Sequence, residues 1–197
     1  MAIFRRLKSP STLGLKRLGH DLIYRRYRFR QLVGILFIFV LAFVGEPRPD
    51  WFVAGLVFIL PGLAIRLWAA GHVRKDKQLA TTGPYAFVRH PLYVGNHLLA
   101  LGFCLASGLW WSFLAWGVIA LLFYPGTHAH EDKVLHRLFG ADWEAWEAEV
   151  RALIPRLTPY RPGVRGEWSL RQCWHNGELV IVAILIALLA LLYLRLV

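Results

Sequence analysis

From Trp51 to Ala70 the chain is apolar, with a single charged interruption at Arg66. About 20 apolar residues match the thickness of a bilayer's hydrocarbon core. A lone segment there satisfies its backbone only as a helix. The rest of the chain agrees. It is 57% hydrophobic with a mean hydropathy of +0.45, too apolar for an ordinary soluble domain. Nine Trp, seven Tyr and twelve Phe suit a wide membrane–water boundary. The formal charge of +11 would fit nucleic acid, but Lys and Arg flank the apolar runs, as in cytoplasmic loops facing anionic lipid. That distribution argues against a nucleic-acid partner.

Several more apolar runs follow the same pattern. Residues 1–30 carry nine Lys or Arg and one acid, Asp21, with Leu13, Leu15, Leu18, Leu22 and Ile23 interleaved. They read either as a basic arm lying on the membrane surface or as a solvated tail. The N-terminus does not read as a signal peptide, since no small-residue cleavage site follows the first apolar run. That run, Leu32 to Val44, is short for a span, and residues 27–31 would extend it. Glu46 to Asp50 is a turn. Arg66, near the end of the second span, either snorkels to the interface or faces the site. Leu92 to Tyr124 predicts a hairpin of two helices broken near 107–111. From Thr127 the pattern turns polar. Glu131 and Asp132 open a helix containing Val134, Leu135, Leu138 and Phe139, Gly140 ends it, and Asp142 caps the next. Thr158 to Trp174 reads as a polar loop and Leu179 to Leu194 as a last apolar helix. Cys104 and Cys173 show no metal-type spacing and no disulfide framework.

The expected architecture is all-α: a polytopic membrane bundle of about five transmembrane helices with a cytosolic cofactor pocket. We divide it into a basic arm (1–30), a membrane core (31–156), and a loop with a C-terminal transmembrane helix (157–197). The positive-inside rule places 71–95 and 127–155 together on the cytoplasmic side of what reads as a bacterial inner membrane.

These two stretches carry the chemistry. Gly83-Pro84 turns the chain and aims Tyr85. His90 precedes Pro91, which can open the next helix. Arg89 and His90 then stand at a helix N-terminus, where an anion is favoured; the alternative is an interfacial turn touching lipid phosphate. Farther on, Glu131 can accept hydrogen bonds from ligand hydroxyls, or simply cap a helix with Asp132. His128, Asp132 and His136 recur at i, i+4, i+8, a face that could hold a metal. A metal-dependent membrane enzyme and a non-enzymatic membrane adaptor are therefore the alternatives to be weighed. Soluble-type nucleotide motifs are absent.

The run Leu79-Ala-Thr-Thr-Gly-Pro-Tyr-Ala-Phe-Val-Arg-His-Pro-Leu-Tyr-Val-Gly95 is followed by a second motif. It comprises Glu131-Asp132, Leu135, Phe139-Gly140, Trp143, Trp146, Val150 and Pro155. Together they resemble the isoprenylcysteine carboxyl methyltransferase family, a group that also holds phospholipid N-methyltransferases. The resemblance covers about residues 55–156. It implies a polytopic enzyme using S-adenosyl-L-methionine, held in a cytosolic pocket, with a lipophilic acceptor entering from the bilayer. By position it implies cofactor contacts from Lys77, Gln78, Leu79, Ala80, Tyr85, His90, Pro91, Leu92, Tyr93 and Glu131, and from Lys75 across a gap. Asp132 replaces the second glutamate of the family's pair, and Trp143 and Trp146 replace tyrosines. Thr127 stands where eukaryotic members carry an arginine assigned to the substrate; that departure bears on the acceptor more than on the cofactor. The catalytic candidates are Arg89, facing the cofactor's carboxylate, and His128 and His130, either of which could take a proton from an amine acceptor.

Overall fold

The computed structural model describes residues 32–74 and 78–196. The basic arm, Lys75 and Lys77 lie outside the described residues. Among those described the protein is all-helical. The helices are α1 (Leu32–Val44), α2 (Pro49–His72), α3 (Pro91–Ser107), α4 (Trp111–Phe139), α5 (Ala141–Glu149), α6 (Leu170–His175) and α7 (Glu178–Leu194). A 3-10 turn at Gly83–Ala86 precedes α3.

By length and composition, α2 and α4 can cross a membrane, while α1, α3 and α7 are shorter apolar helices. Buried core helices of soluble proteins pass the same test. Here, however, most of both spans is unburied, and Val53, Val57, Leu60, Leu114 and Leu121 all face outward. Apolar surface on that scale needs a lipid solvent.

α2 and α3 form the tightest pair, and the sequence shows how. A Cβ on Gly55 would stand 2.6 Å from the Gly102 carbonyl oxygen, and one on Gly62 would stand 3.1 Å from that of Gly95. Small residues let the two backbones approach, which substitutes for the hydrophobic effect missing inside a bilayer. Around this seam Phe37, Leu41, Ile59, Leu99, Phe103, Trp116, Leu185 and Leu192 join α1, α2, α3, α4 and α7 in one core.

Three expectations need correction. First, α4 does not stop near Tyr124. It runs on through Pro125 to Phe139. Proline removes one helix donor, but in an apolar surround unwinding would orphan more backbone groups than it frees. The Thr127 hydroxyl donates to the Phe123 carbonyl (2.7 Å) just past the proline. Glu131 and Asp132 are therefore mid-helix and cap nothing. Second, Asp142 does not cap α5. Gly140, at φ +49°, stands at the N-cap, and Asp142 lies in the first turn. Third, Arg66 does not snorkel. It is buried, and its guanidinium grips Glu178 at the start of α7 through Nε (2.7 Å) and Nη2 (2.9 Å). Its Nη1 donates to Asn96 on α3.

The segment after α5 is woven into the same end of the bundle. Trp168 Nε1 and Cys173 Sγ donate to the Leu67 carbonyl, the Ser169 amide to Gly71, and Asn176 Nδ2 to Ala70 and Val73. The last turn of α2 thereby gains acceptor partners from outside the helix, the usual need of a helix C-terminus.

Candidate functional site

At the α6 end of the bundle the two polar stretches meet. Gly83 takes φ +59°, a left-handed conformation that favours glycine, and a Cβ there would strike the His72 ring at 2.5 Å. The turn it makes sends Tyr85 inward onto Ala69, Trp146 and Val150. Trp146 Nε1 donates to the Tyr85 carbonyl at 3.1 Å. Backbone bonds then lace the loop to the chain beyond α5: Arg89 N to Arg151 O, His90 N to Ala152 O, Arg156 N to Phe87 O and Tyr160 N to Ala86 O, all 2.9–3.0 Å. Pro91 opens α3, as expected from sequence.

His90 is buried and flanked by carboxylates on both sides. Its Nε2 stands 3.2 Å from Asp132 Oδ1, off the hydrogen-bond direction, and its Nδ1 4.0 Å from Glu131 Oε2. Its ring stacks on His128 at 5.0 Å and 14°. Tyr93, one turn along α3, donates from its hydroxyl to Glu131 Oε2 at 2.8 Å. The Glu131 side chain is 45% exposed, so it retains acceptor capacity toward solvent. Burial, and then the Glu131 and Glu178 carboxylates, hold the Tyr85 phenol well above its ordinary value of 10.0, so it stays protonated.

Of the residues expected at the site, Tyr85, His90, Pro91, Leu92, Tyr93, His128 and Glu131 are brought together here, with Leu79 and Ala80 packed under Tyr85. Gln78 is exposed beside them. Arg89 is placed otherwise than expected. Its Nη1 lies 3.2 Å from Asp132 and 3.3 Å from Glu147, and its guanidinium stands over Trp143 at 5.8 Å. These contacts are to protein carboxylates, which suits a positioning residue. His130 follows His128 by two positions, about 200° around the helix, so the two do not share a face. The possible metal face is not gathered either. Asp132 serves Arg89 and His90, while His136 Nε2 pairs with Glu144 at 2.6 Å. Among the described residues no cluster has a metal-ligand arrangement.

Sequence reasoning passed over Asp132 as a partner of His90, and the 151–160 strand of chain that backs the loop. The signal for the second was weak: Pro155 and Pro159 only mark extended backbone.

Comparison with known proteins extends this picture. Residues 52–142 match the phospholipid methyltransferase family. The nickel-cobalt-cadmium resistance protein NccN of Alcaligenes xylosoxydans xylosoxydans is 30% identical, over 68% of this chain and 65% of its own length. The cobalt-zinc-cadmium resistance protein CzcN of Cupriavidus metallidurans is 33% identical, over 78% of this chain and 75% of its own. A protein-S-isoprenylcysteine O-methyltransferase of Schizosaccharomyces pombe is 36% identical, over 42% of this chain and 35% of its own length. The chain thus spans about two thirds to three quarters of the bacterial relatives and about a third of the yeast one. No solved structure matches.

Proposed function

We infer the activity from the family: the chain belongs to the isoprenylcysteine carboxyl methyltransferase-like family of membrane methyltransferases, and we propose that it transfers the methyl group of S-adenosyl-L-methionine to a lipophilic acceptor. The acceptor, a carboxylate or an amine, enters from the bilayer, and the cofactor sits on the cytoplasmic side of a bacterial inner membrane. The observation that carries the reading is the bond from Tyr93 on α3 to Glu131 on α4, which draws the two separated motifs into one place.

The residues present suit such a cofactor. Glu131, half exposed and oriented by Tyr93, can accept from the two ribose hydroxyls. Tyr85, protonated, is a buried donor. The Tyr93 ring, whose centroid lies 4.6 Å from that of His128, offers a face that attracts a sulfonium cation. When bound, the cofactor supplies a methyl group on a positively charged sulfur. The protein's part is alignment. Holding donor and acceptor in line is worth about 7–11 kcal/mol. A carboxylate acceptor would need no general base, since it carries no proton to lose. An amine acceptor must release a proton, and His128 is the base placed to take it.

The test is calorimetric titration of the detergent-purified protein with S-adenosylhomocysteine. The expected result is micromolar binding, weakened about 10- to 100-fold in Glu131→Ala, the effect of losing hydrogen bonds to a charged group. His90→Ala should also lose binding. Unchanged affinity in both variants, with folding intact, would sink the site assignment.

A further inference from the structure

Arg89 and His90 are neighbours in the chain, and both reach for one carboxylate on α4. Asp132 Oδ2 stands 3.2 Å from Arg89 Nη1, and its Oδ1 stands 3.2 Å from His90 Nε2. Arg89 Nη1 also lies 3.3 Å from Glu147 on α5. Glu147, Arg89, Asp132 and His90 therefore form a line from α5 through α4 to the residue that precedes α3. The line is sheltered. The side chains of His90, Arg89 and Asp132 are 2%, 10% and 18% exposed, and the guanidinium lies over the Trp143 ring. Unpaired polar atoms are costly in such surroundings, so each group's orientation is set by its neighbours.

The donors and acceptors along the line allow one arrangement. A guanidinium only donates, and an ionised carboxylate only accepts. With Oδ2 facing Arg89, Oδ1 is the acceptor facing His90, and Nε2 is the ring nitrogen that must carry a proton. Oδ1 is off the direction of that N–H. Hydrogen bonds of this kind tighten when a ligand is seated, and a small turn of the carboxylate aligns this one. In the neutral imidazole Nδ1 then keeps its lone pair. Nδ1 faces Glu131 Oε2 at 4.0 Å, beyond a direct hydrogen bond, where Tyr93 donates to the same oxygen.

We propose that Asp132 is a positioning residue that acts through His90: held by Arg89, it fixes the imidazole proton on Nε2 and turns Nδ1 to the ligand as an acceptor beside Glu131. The proposal rests on the methyltransferase reading and deepens it. Two adjacent acceptors select a ligand edge built of donors, which the paired hydroxyls of a ribose supply. Arg89 contributes by occupying Oδ2, which leaves Asp132 a single oxygen for His90.

The experiment reads the proton directly. Protein labelled with 15N-histidine is studied by solid-state NMR in lipid bilayers at neutral pH, and the His90 signals are identified by their loss in His90→Gln. In the wild type Nε2 should be protonated and Nδ1 bare. Asp132→Asn keeps the shape of the side chain. Because Arg89 needs an acceptor, the amide oxygen turns to Arg89 and the amide N–H to His90, and the ring proton should move to Nδ1. The same variant should bind S-adenosylhomocysteine about tenfold more weakly, the worth of a lost hydrogen bond. Asp132→Glu should keep the proton on Nε2 and most of the affinity. Unmoved signals from His97 and His175 would report an intact fold; a purely structural role for Asp132 would leave the His90 proton in place. A bare Nε2 or two protonated nitrogens in the wild type, a proton that stays on Nε2 in Asp132→Asn, or unchanged affinity in that variant would each overturn the proposal while sparing the methyltransferase reading. Wild-type protein that fails to bind S-adenosylhomocysteine would remove both.

Discussion

Arg66 and Glu178 are 112 positions apart, yet they form a buried two-bond pair with side chains 9% and 5% exposed. The pair has help. Glu178 sits in the first turn of α7, where the helix dipole favours an anion, and Asn96 takes a third guanidinium bond. Desolvating two charges offsets much of their attraction, so the pair adds little net stability, but losing one partner strands the other. Arg66→Met or Glu178→Leu alone should therefore destabilise the protein by about 3–5 kcal/mol, while the double variant should recover most of that. Thermal unfolding in detergent measures it, and additive losses would contradict the pairing. Tyr85 gives a pH test. Its folded-state value is raised above the ordinary 10.0, so the folded state holds the proton more tightly than the unfolded one. The stabilisation is fully present below pH 10 and is lost as pH rises from there toward the raised value. Unfolding temperatures should fall above pH 10, and less steeply in Tyr85→Phe.

Among the elements, the α2–α3 seam is the one most open to a single methyl group. A Cβ on Gly102 would stand 2.8 Å from the Gly55 carbonyl oxygen and 2.9 Å from the Ile59 amide, and neither backbone can yield cheaply. Gly102→Ala should cost about 1–3 kcal/mol through overpacking. Gly117→Ala, on the lipid-facing helix α4 with nothing within 4 Å, should be neutral or slightly stabilising. Equal losses of unfolding temperature would mean that helix propensity, not close approach, governs the seam. The same elements show what the sequence could tell. Apolar runs located α1, α2, α3 and α7, and the break near Ser107–Trp111 and at Gly140 followed from turn chemistry. The continuity of α4 was not legible, because proline reads as a breaker unless the surroundings make breaking costlier. α6, six residues long, has too little periodicity to register. At the site, the meeting of His90 and Tyr93 with Glu131 was readable from the local motifs and the expected topology. Arg89 was not, since its partners Asp132 and Glu147 come from helices far along the chain.

On the scale of the whole molecule, the stretch after residue 156 does not hang from the core as a separate tail. It supplies Glu178 to Arg66, and Trp168, Ser169, Cys173 and Asn176 to the carbonyls that end α2. It also supplies the Tyr160 amide to the Ala86 carbonyl beneath the candidate cofactor loop. A chain ending at residue 156 would bury an unpaired guanidinium and leave several of these helix-end acceptors without partners, each a cost of about 1–3 kcal/mol. Those losses exceed the margin by which a domain of this size stays folded. Residues 1–156 alone should therefore fail to accumulate in membranes and should not bind S-adenosylhomocysteine. Co-expression of 157–197 as a separate chain should restore both, because the bonds are all side chain to backbone, ion pair or amide to carbonyl and need no covalent link. Measurable binding by residues 1–156 on their own would show that the cofactor end is self-sufficient and that α6 and α7 serve only to anchor it.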